Sequence, residues 1–269
     1  MTRIAGQEQL PWLHLDSGGL LFNKQSRLSA GQEESGKNAA AGIAEAMEAM
    51  RCRALGIAAH DLAGGVAFLK QLQQERQLAW LSMNLVEAAS RQPVFPSWLM
   101  TETAGLPVAV LGLTGGPETL AAAPDKADYV VLPWQDVLPE ILRQARGKAA
   151  VVILLSSYPA AVNKEIAAAH PGLHIVLTSG PGAAASHPAL SGGALFAQTG
   201  AQGKTLGLLR ITWTEAGRWA APQAEDENLC RFNARLIPLE SSLPEDAAVR
   251  EIISRAAQRR TAGKNRRGD

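Results

Sequence analysis

Four polar residues follow short apolar segments of this chain, at positions where side chains could perform chemistry. Asp16 ends the segment LHLD, the pair His60-Asp61 follows GIAA, and Asn84 follows LSM. Carboxylate, imidazole and amide groups can together bind a divalent cation or move a proton. Adjacent residues at a strand end point apart, so His60 and Asp61 are not expected to form a hydrogen-bonded dyad. An active site therefore requires all four residues to meet in one cleft.

The remaining histidines are placed less well for a site. His170 and His174 have helical spacing, but Pro171-Gly172 between them argues against a shared metal-binding face. His187 precedes a proline in a loop and is predicted to be exposed. His14 alternates with leucines on a strand, which is typical of a core residue with a satisfied hydrogen bond.

Several loops resemble catalytic or nucleotide-binding motifs without matching them. The segment 200–205 ends like a Walker A loop, but Gln198 stands where the motif needs glycine, and β-like residues follow it. We therefore predict a strand–turn–strand hairpin there. The glycine-rich segments 112–117 and 178–182 could line a cleft, although ordinary turns are favoured. No G-x-S-x-G elbow surrounds the serines at the strand ends, Ser17, Ser156 and Ser157.

Composition excludes several classes of protein. The chain has 269 residues and a formal net charge of +1, which gives no reason to expect nucleic acid or an anionic membrane as partner. Cys52 and Cys230 lie in no metal-binding cluster and are predicted to be buried free thiols, with one disulfide between them as the alternative. No stretch has the length of a transmembrane helix, and the first residues lack the apolar region of a signal peptide.

The hydrophobic pattern alternates strands with helices and predicts layered α/β architecture, with mixed β-sheets flanked by helices. A single domain is predicted over residues 10–256, followed by a basic flexible tail over 257–269. A polar loop is predicted from Asp16 to about Lys37. Predicted helices cover Asn38–Met50, Gly64–Arg76, Gln135–Arg146 and Ala160–Ala169, and a terminal helix opens at Pro244–Asp246. Predicted strands cover Leu13–Asp16, Arg53–Ala58, Leu78–Asn84, Leu106–Thr114, Tyr129–Leu132, Ala149–Leu155, Ile175–Leu177, Ala194–Gln198 and Leu206–Trp213.

Eight segments, read in order, carry a resemblance that covers nearly the whole chain. They are LHLDSGGLLF (13–22), GIAAHDLAGG (56–65), LSMNL (81–85), PVAVLGLT (107–114), VVILLSSYP (151–159), HIVLTSG (174–180), LFAQTGAQGKTLGLLRITW (195–213) and RLIPLESSLPED (235–246). They resemble the 5′-nucleotidase/UDP-sugar hydrolase (UshA-like) branch of the calcineurin-like metallophosphoesterases. That resemblance implies a four-layer α/β/β/α fold, which in the family holds two divalent metal ions.

The resemblance also implies that most of the metal ligands are missing from this chain. Asp16 matches a supporting aspartate of the family's DxGD motif, and His60 matches the histidine that protonates the leaving group. No segment matches the DxHG motif of the family's first strand, so that strand is expected to be absent. The family's other ligand positions are occupied by Gly19, Ala59, Ser157, Gly180 and Gly182.

These losses predict a non-catalytic binding or interaction protein without metal cofactors. Its candidate catalytic residues are His60 and Asp61, and its candidate binding residues are Asp16 and Asn84. The partner would be a small phosphorylated ligand or another protein, and the family implies a periplasmic or cell-envelope location. The alternative is an active hydrolase of nucleotides or other phosphate esters with an atypical metal site. A third possibility is a small-ligand binder that uses the vacated cleft.

Overall fold

The computed structural model describes residues 10–23, 28–179, 189–200, 203–213 and 230–265. Five α-helices are described in this part of the chain: α1 (Ala30–Ala49), α2 (Val66–Glu75), α3 (Trp134–Arg146), α4 (Ala160–Ala169) and α5 (Ala247–Asn265). The described strands are β1 (His14–Asp16), β2 (Cys52–Leu55), β3 (Leu85–Glu87), β4 (Trp98–Thr103), β5 (Leu106–Leu113), β6 (Tyr129–Val131), β7 (Val151–Ser156), β8 (Ile175–Thr178), β9 (Ala189–Ser191), β10 (Ala194–Ala197), β11 (Thr205–Trp213) and β12 (Cys230–Pro238).

Strand β7 shows how the layers are built. Side chains alternate between the two faces of a strand. Val151, Ile153 and Leu155 pack in a core shared with the sheet of β1 and β2, whereas Val152 and Leu154 pack in a core shared with α3 and α4. A third core joins α1 and α2 to the outer face of the β1–β2 sheet. The order helix, sheet, sheet, helix confirms the predicted four-layer α/β/β/α arrangement.

The larger sheet brings several strand ends to one edge. Its order is β4-β5-β7-β8-β10-β9, in which β5, β7, β8 and β10 run parallel and the two outer strands run antiparallel to their neighbours. The loops that follow β5, β7 and β8 therefore leave the sheet on the same side. Open α/β sheets bind ligands at this edge.

Two sequence predictions near the amino-terminal end were wrong in extent or kind. Helix α1 begins at Ala30, so part of the predicted polar loop is helical. Glutamate, glutamine and alanine in 30–37 have good helix propensity, which outweighs the single glycines there. The predicted strand Leu78–Asn84 is not a strand, because only Trp80 forms an isolated bridge, to Leu55. Its apolar residues are nevertheless buried in the core.

The prediction of a hairpin at 200–205 was also wrong, because the strands on the two sides of this segment do not pair with each other. The residues after it form β11 as predicted, which excludes the helix of a Walker A loop. However, β11 pairs with β12, whereas β10 pairs with β8 and β9. Strands β3, β4, β9 and β12 had not been predicted, and residues 201–202 lie outside the described part of the chain.

Helix α5 packs against α1. Its amino terminus is capped by Asp246, whose carboxylate accepts hydrogen bonds from the N–H groups of Ala248 and Val249. Arg255 on α5 pairs with Glu45 on α1 at 2.7 Å. The helix runs to Asn265 and thus through much of 257–269, the segment predicted as a tail. Among the described residues, no helix is long and apolar enough to cross a membrane.

Candidate functional site

The loops after β1 and β2 meet backbone to backbone. Gly18 has a φ of 99°, and a Cβ atom there would lie 2.9 Å from the carbonyl carbon of Gly56. A Cβ on Gly56 would lie 2.5 Å from the carbonyl oxygen of Ser17. Contacts this short leave no room for a side chain at either glycine, so main chain fills the space between the two strand ends.

Asp61 fastens these two loops together. Its buried carboxylate accepts hydrogen bonds from four backbone N–H groups, at 2.6 Å from Gly19, 2.9 Å from Leu20, 3.1 Å from Leu21 and 2.9 Å from Ala58. Burial raises the pKa of this carboxyl group, and the four hydrogen bonds oppose that rise. Both carboxylate oxygens are therefore engaged with the main chain, which makes Asp61 a structural brace.

His60 lies beside Gly19, one of the positions that the sequence resemblance matched to a metal ligand. It is partly exposed, and a Cβ atom on Gly19 would lie 3.7 Å from its Nδ1 atom. The short helical turn Ala59–Leu62 turns Asp61 into the protein while His60 stays partly accessible. The two residues thus diverge, as the sequence indicated, and do not form a dyad.

Asp16 lies close to Asp61 at the end of β1. Its Oδ1 atom accepts a hydrogen bond from the N–H group of Gly18 at 2.8 Å. Partial burial raises the pKa of Asp16 to about 6, with a smaller contribution from the negative charge of Asp61 and an opposing one from the Gly18 hydrogen bond. The structure therefore brings Asp16 and Asp61 together, each bound to the same glycine-rich loop.

The Asn84 side chain links a second group of loops, namely those that follow β5 and β6. Its side-chain nitrogen donates to the carbonyl oxygens of Thr114 at 2.8 Å and Leu132 at 3.1 Å, and its oxygen accepts from the N–H group of Thr114 at 2.9 Å. The Ser82 hydroxyl lies 2.7 Å from that of Thr114. Asn84 is fully buried. The amide is thus committed to joining the chain segments that follow β5 and β6.

Ser157, which the sequence resemblance matched to a metal-ligand position, joins the two groups of loops. Its hydroxyl donates to the carbonyl oxygen of Ile57 at 2.8 Å and accepts from the N–H group of Gly115 at 2.7 Å. The neighbouring Ser156 donates to the buried side chain of Asn163 at 2.7 Å. The sequence contained no signal for the role of Ser157, because its partners Ile57 and Gly115 follow two other strands, β2 and β5.

The described residues offer a poor set of metal donors. No group of three or more histidine, cysteine, aspartate or glutamate side chains lies together in the described part of the chain. Of the polar side chains at the cleft, Asp61 and Asn84 already bind main-chain groups. The positions Gly180 and Gly182 lie outside the described residues. The donor set that is described does not fit a pair of divalent cations.

The other candidate residues have structural surroundings. His14 donates from Nδ1 to the carbonyl oxygen of Met50, which agrees with the core role predicted for it. His170 packs edge-on against Trp134, and His174 accepts at Nδ1 from the N–H group of Val152. Burial raises the pKa of the free thiol of Cys52. His187 lies outside the described residues, as does the side chain of Cys230.

Known structures share this architecture. SoxB of Thermus thermophilus, a sulfate thiohydrolase, superposes with a TM-score of 0.72 at 19% identity over 91% of this chain. A 5′-nucleotidase precursor, also of Thermus thermophilus, gives 0.71 at 18% identity over 97%, and the calcineurin-like phosphoesterase YfkN of Bacillus subtilis gives 0.70 at 13% over 98%. The fold is that of the calcineurin-like phosphoesterases. Identities this low establish the fold and nothing about activity.

The length of the match differs among these structures. The chain spans 42% of the SoxB chain and 52% of the nucleotidase precursor, but 88% of YfkN. No protein-family model and no curated protein matches the sequence. The phosphoesterase-like fold that the sequence predicted is thus confirmed by structure alone.

Proposed function

We propose that this chain is a degenerate member of the 5′-nucleotidase/UDP-sugar hydrolase branch that binds a partner without performing catalysis. The proposal rests on the hydrogen bonds that tie the side chains of Asp61 and Asn84 to main-chain groups. Asp61 accepts four backbone hydrogen bonds, and Asn84 bonds to both backbone groups of Thr114. Side chains engaged in this way serve the fold and are not available to coordinate a cation.

The requirements of a two-metal phosphoesterase support the same proposal. Two divalent cations about 3.5–4 Å apart need several carboxylate or imidazole ligands around them. Gly19 and Ala59 have no donor atom in their side chains, and the Ser157 hydroxyl is bonded to Ile57 and Gly115. Neutral hydroxyls are weak ligands compared with the groups they replace.

His60 alone would supply too little catalysis. A positioned general acid contributes roughly 10²–10⁴-fold to a rate. Hydrolysis of phosphate monoesters needs accelerations that reach about 10²¹-fold. Without a metal-activated water and a polarised phosphate, His60 cannot account for turnover, even though it keeps the position of the family's acid.

The proposed partner is a small phosphorylated ligand or another protein, in the periplasm or cell envelope. The fold and the resemblance to a mostly exported family support this assignment, and the near-zero net charge agrees with a partner other than nucleic acid. A panel of nucleotides, sugar nucleotides and inorganic phosphate would test the small-ligand form by the shift in melting temperature. A rise that grows with ligand concentration is expected for one class of compound, and a flat response would exclude the small ligand.

A hydrolase with an atypical metal site is the competing function. Assays with a generic phosphate ester, several nucleotides and Mn²⁺, Co²⁺ or Zn²⁺ would distinguish the two. We expect no turnover above that of the His60→Ala variant. Metal-dependent turnover that disappears in His60→Ala and persists in the surface variant Leu239→Ala would overturn the non-catalytic proposal.

A further inference from the structure

The part of helix α5 whose side chains the structure describes, residues 247–259, buries little apolar surface. Ile252 alone is buried in this range, and Val249 and Ala256 are partly buried. Every residue of 238–248, which leads from the end of β12 into the first turn of α5, is exposed. Burial of apolar surface is the main force that holds a helix on a domain. The apolar contact that these residues make is therefore small.

The crossing of α5 and α1 is nevertheless close and specific. Gly42 of α1 is buried, and a Cβ atom placed on it would overlap the Cβ atom of Ala256 on α5. The Cα atom of Ala256 would lie 3.8 Å from the same added carbon, at ordinary van der Waals distance. The two helices thus cross at Gly42 and Ala256, where a missing side chain on α1 permits their approach.

A carboxylate near this crossing joins three elements of the fold. The side chain of Glu45 on α1 is 18% exposed and pairs with Arg255 of α5 at 2.7 Å. The same carboxylate lies 3.6 Å from Arg76, the residue that follows α2. Separation of α5 would therefore leave Glu45 with a positive partner. Because an uncompensated charge of low exposure is costly, this second partner lowers the free energy needed to release α5.

Arg255 also keeps a partner when α5 separates. Its second guanidinium nitrogen pairs with Glu251 of the same helix at 2.7 Å. The cap formed by Asp246 likewise lies within the segment that would move. Both members of the Glu45–Arg255 pair thus have a counter-ion on their own side of the helix contact, and α5 can separate with its own bonds intact.

We propose that α5 is a releasable strap, which separates from α1 while the rest of the domain stays folded, and that ionic strength controls its release. The Debye length falls from about 10 Å at 0.1 M salt to about 3 Å at 1 M, so salt weakens the Glu45–Arg255 pair. Release uncovers Gly42 and Glu45 on α1. This conformational property goes beyond the proposed partner binding and does not depend on the absence of catalysis.

Native-state hydrogen exchange on the full chain tests the proposal directly. Protection factors of amides in 250–259 should be at least tenfold lower than those of β7, which lies between two cores. Raising NaCl from 0.05 to 0.5 M should lower them by about a further threefold and leave those of β7 unchanged. Equal protection of the two segments would overturn the proposal, as would protection in 250–259 that does not respond to salt.

A reciprocal pair of variants tests the crossing. Gly42→Ala adds the Cβ atom that meets Ala256, although alanine favours helix α1 more than glycine does. We expect at least tenfold lower protection in 250–259 and no loss in β7. Ala256→Gly removes the obstructing carbon and alone should lower protection by about fivefold, through its helix propensity. The double variant should match Ala256→Gly. A double variant as poorly protected as Gly42→Ala, or an equal loss in β7, would overturn the proposal.

A second pair of variants tests the ion pair. Arg255→Gln removes the partner of Glu45, and Arg259→Gln makes the same change at an exposed position of α5 for which no ion pair is described. In 0.05 M NaCl, we expect about threefold lower protection in 250–259 for Arg255→Gln and a lost response to salt. Arg259→Gln should keep both the protection and the response. Equal effects of the two variants would overturn control by the Glu45–Arg255 pair.

Discussion

The loops at the strand ends and the cavity of about 460 Å³ between β1 and the β11–β12 hairpin differ in the residues that surround them. At the strand ends, Asp61, Asn84 and Ser157 each join separate loops through hydrogen bonds to the main chain. The cavity is lined by apolar residues of the larger sheet, among them Val108, Val151 and Ile153. The polar side chains of the expected catalytic region are thus engaged in holding the fold together, whereas the cavity beside β1 is mainly apolar.

The hydrogen bonds at the strand ends show how these loops are held together by the protein itself. Metal ions hold ligand-bearing loops together in metalloenzymes, and their binding energy contributes to stability. Here the loops after β1 and β2 are held by the Asp61 carboxylate and by the direct contact of Gly18 with Gly56. The Asp61 carboxylate, which accepts hydrogen bonds from N–H groups of both loops, holds these loops together. In metalloenzymes the bound cation contributes to the same role.

The largest effect is expected from Asp61→Ala. Four backbone N–H groups would lose their acceptor, so the free energy of unfolding should fall by about 3–5 kcal/mol. Urea unfolding measures this loss. The matched control is Asp125→Ala, which removes an acceptor from two N–H groups at the start of α2 and should cost about 1 kcal/mol. Equal losses in both variants would contradict the bracing role of Asp61.

A somewhat smaller effect is expected from Asn84→Asp. The substitution keeps the shape but removes the donor to the carbonyl oxygens of Thr114 and Leu132 and buries a charge. We expect a loss of about 2–3 kcal/mol in the free energy of unfolding at neutral pH. In a metal site, aspartate would instead strengthen cation binding. Stabilisation of Asn84→Asp by Mn²⁺ would therefore count against the structural role.

The pH dependence of stability tests the surroundings of Asp16. Its pKa is raised to about 6 in the folded protein, so the folded state binds the proton more tightly than the unfolded state does. The contribution of Asp16 to the free energy of unfolding should therefore be most favourable below about pH 4, fall between about pH 4 and 6, and level off above. Because Asp16 keeps partial solvent contact, we expect a fall of about 1–2 kcal/mol.

Asp16→Asn serves as the control for this profile. The amide cannot ionise but still offers an oxygen to the N–H group of Gly18. The decline between about pH 4 and 6 should shrink in this variant. A decline of unchanged size, measured by urea unfolding across the same range, would assign it to other groups such as Asp61.

The smallest effect is expected from His60→Ala. The side chain is partly exposed and no hydrogen bond is described for it, so the free energy of unfolding should change by less than about 0.5 kcal/mol. A large loss of stability would show that His60, like Asp61, has a structural role. The two residues would then no longer differ in their contribution to the fold.

Local patterns allowed much of the fold to be predicted. Helix Ala160–Ala169 was predicted with its observed bounds, because Pro159 precedes it and Pro171-Gly172 follows it. The apolar run at β7 predicted a strand covered on both faces, and the cores on its two sides confirm this. Strand Trp98–Thr103 was missed, because its polar residues lie on an edge strand that, among the described strands, pairs with β5 alone.

The roles of the candidate residues could not be predicted in the same way. Asp61 contacts residues 40–42 positions earlier in the chain, and Ser157 contacts a residue 100 positions away. Such pairs depend on tertiary structure, which periodicity and spacing do not encode. The sequence therefore located the cleft residues at the strand ends but gave no sign that Asp61 and Asn84 serve as braces.

Metal stoichiometry after loading is the most direct test of the central claim. The protein would be incubated with Mn²⁺, Co²⁺ or Zn²⁺, desalted and measured by inductively coupled plasma mass spectrometry, with Leu239→Ala and His60→Ala in parallel. Far less than one ion per chain is expected, equally in all three proteins. Close to two ions per chain, lost in His60→Ala and kept in Leu239→Ala, would show that the dinuclear centre still exists.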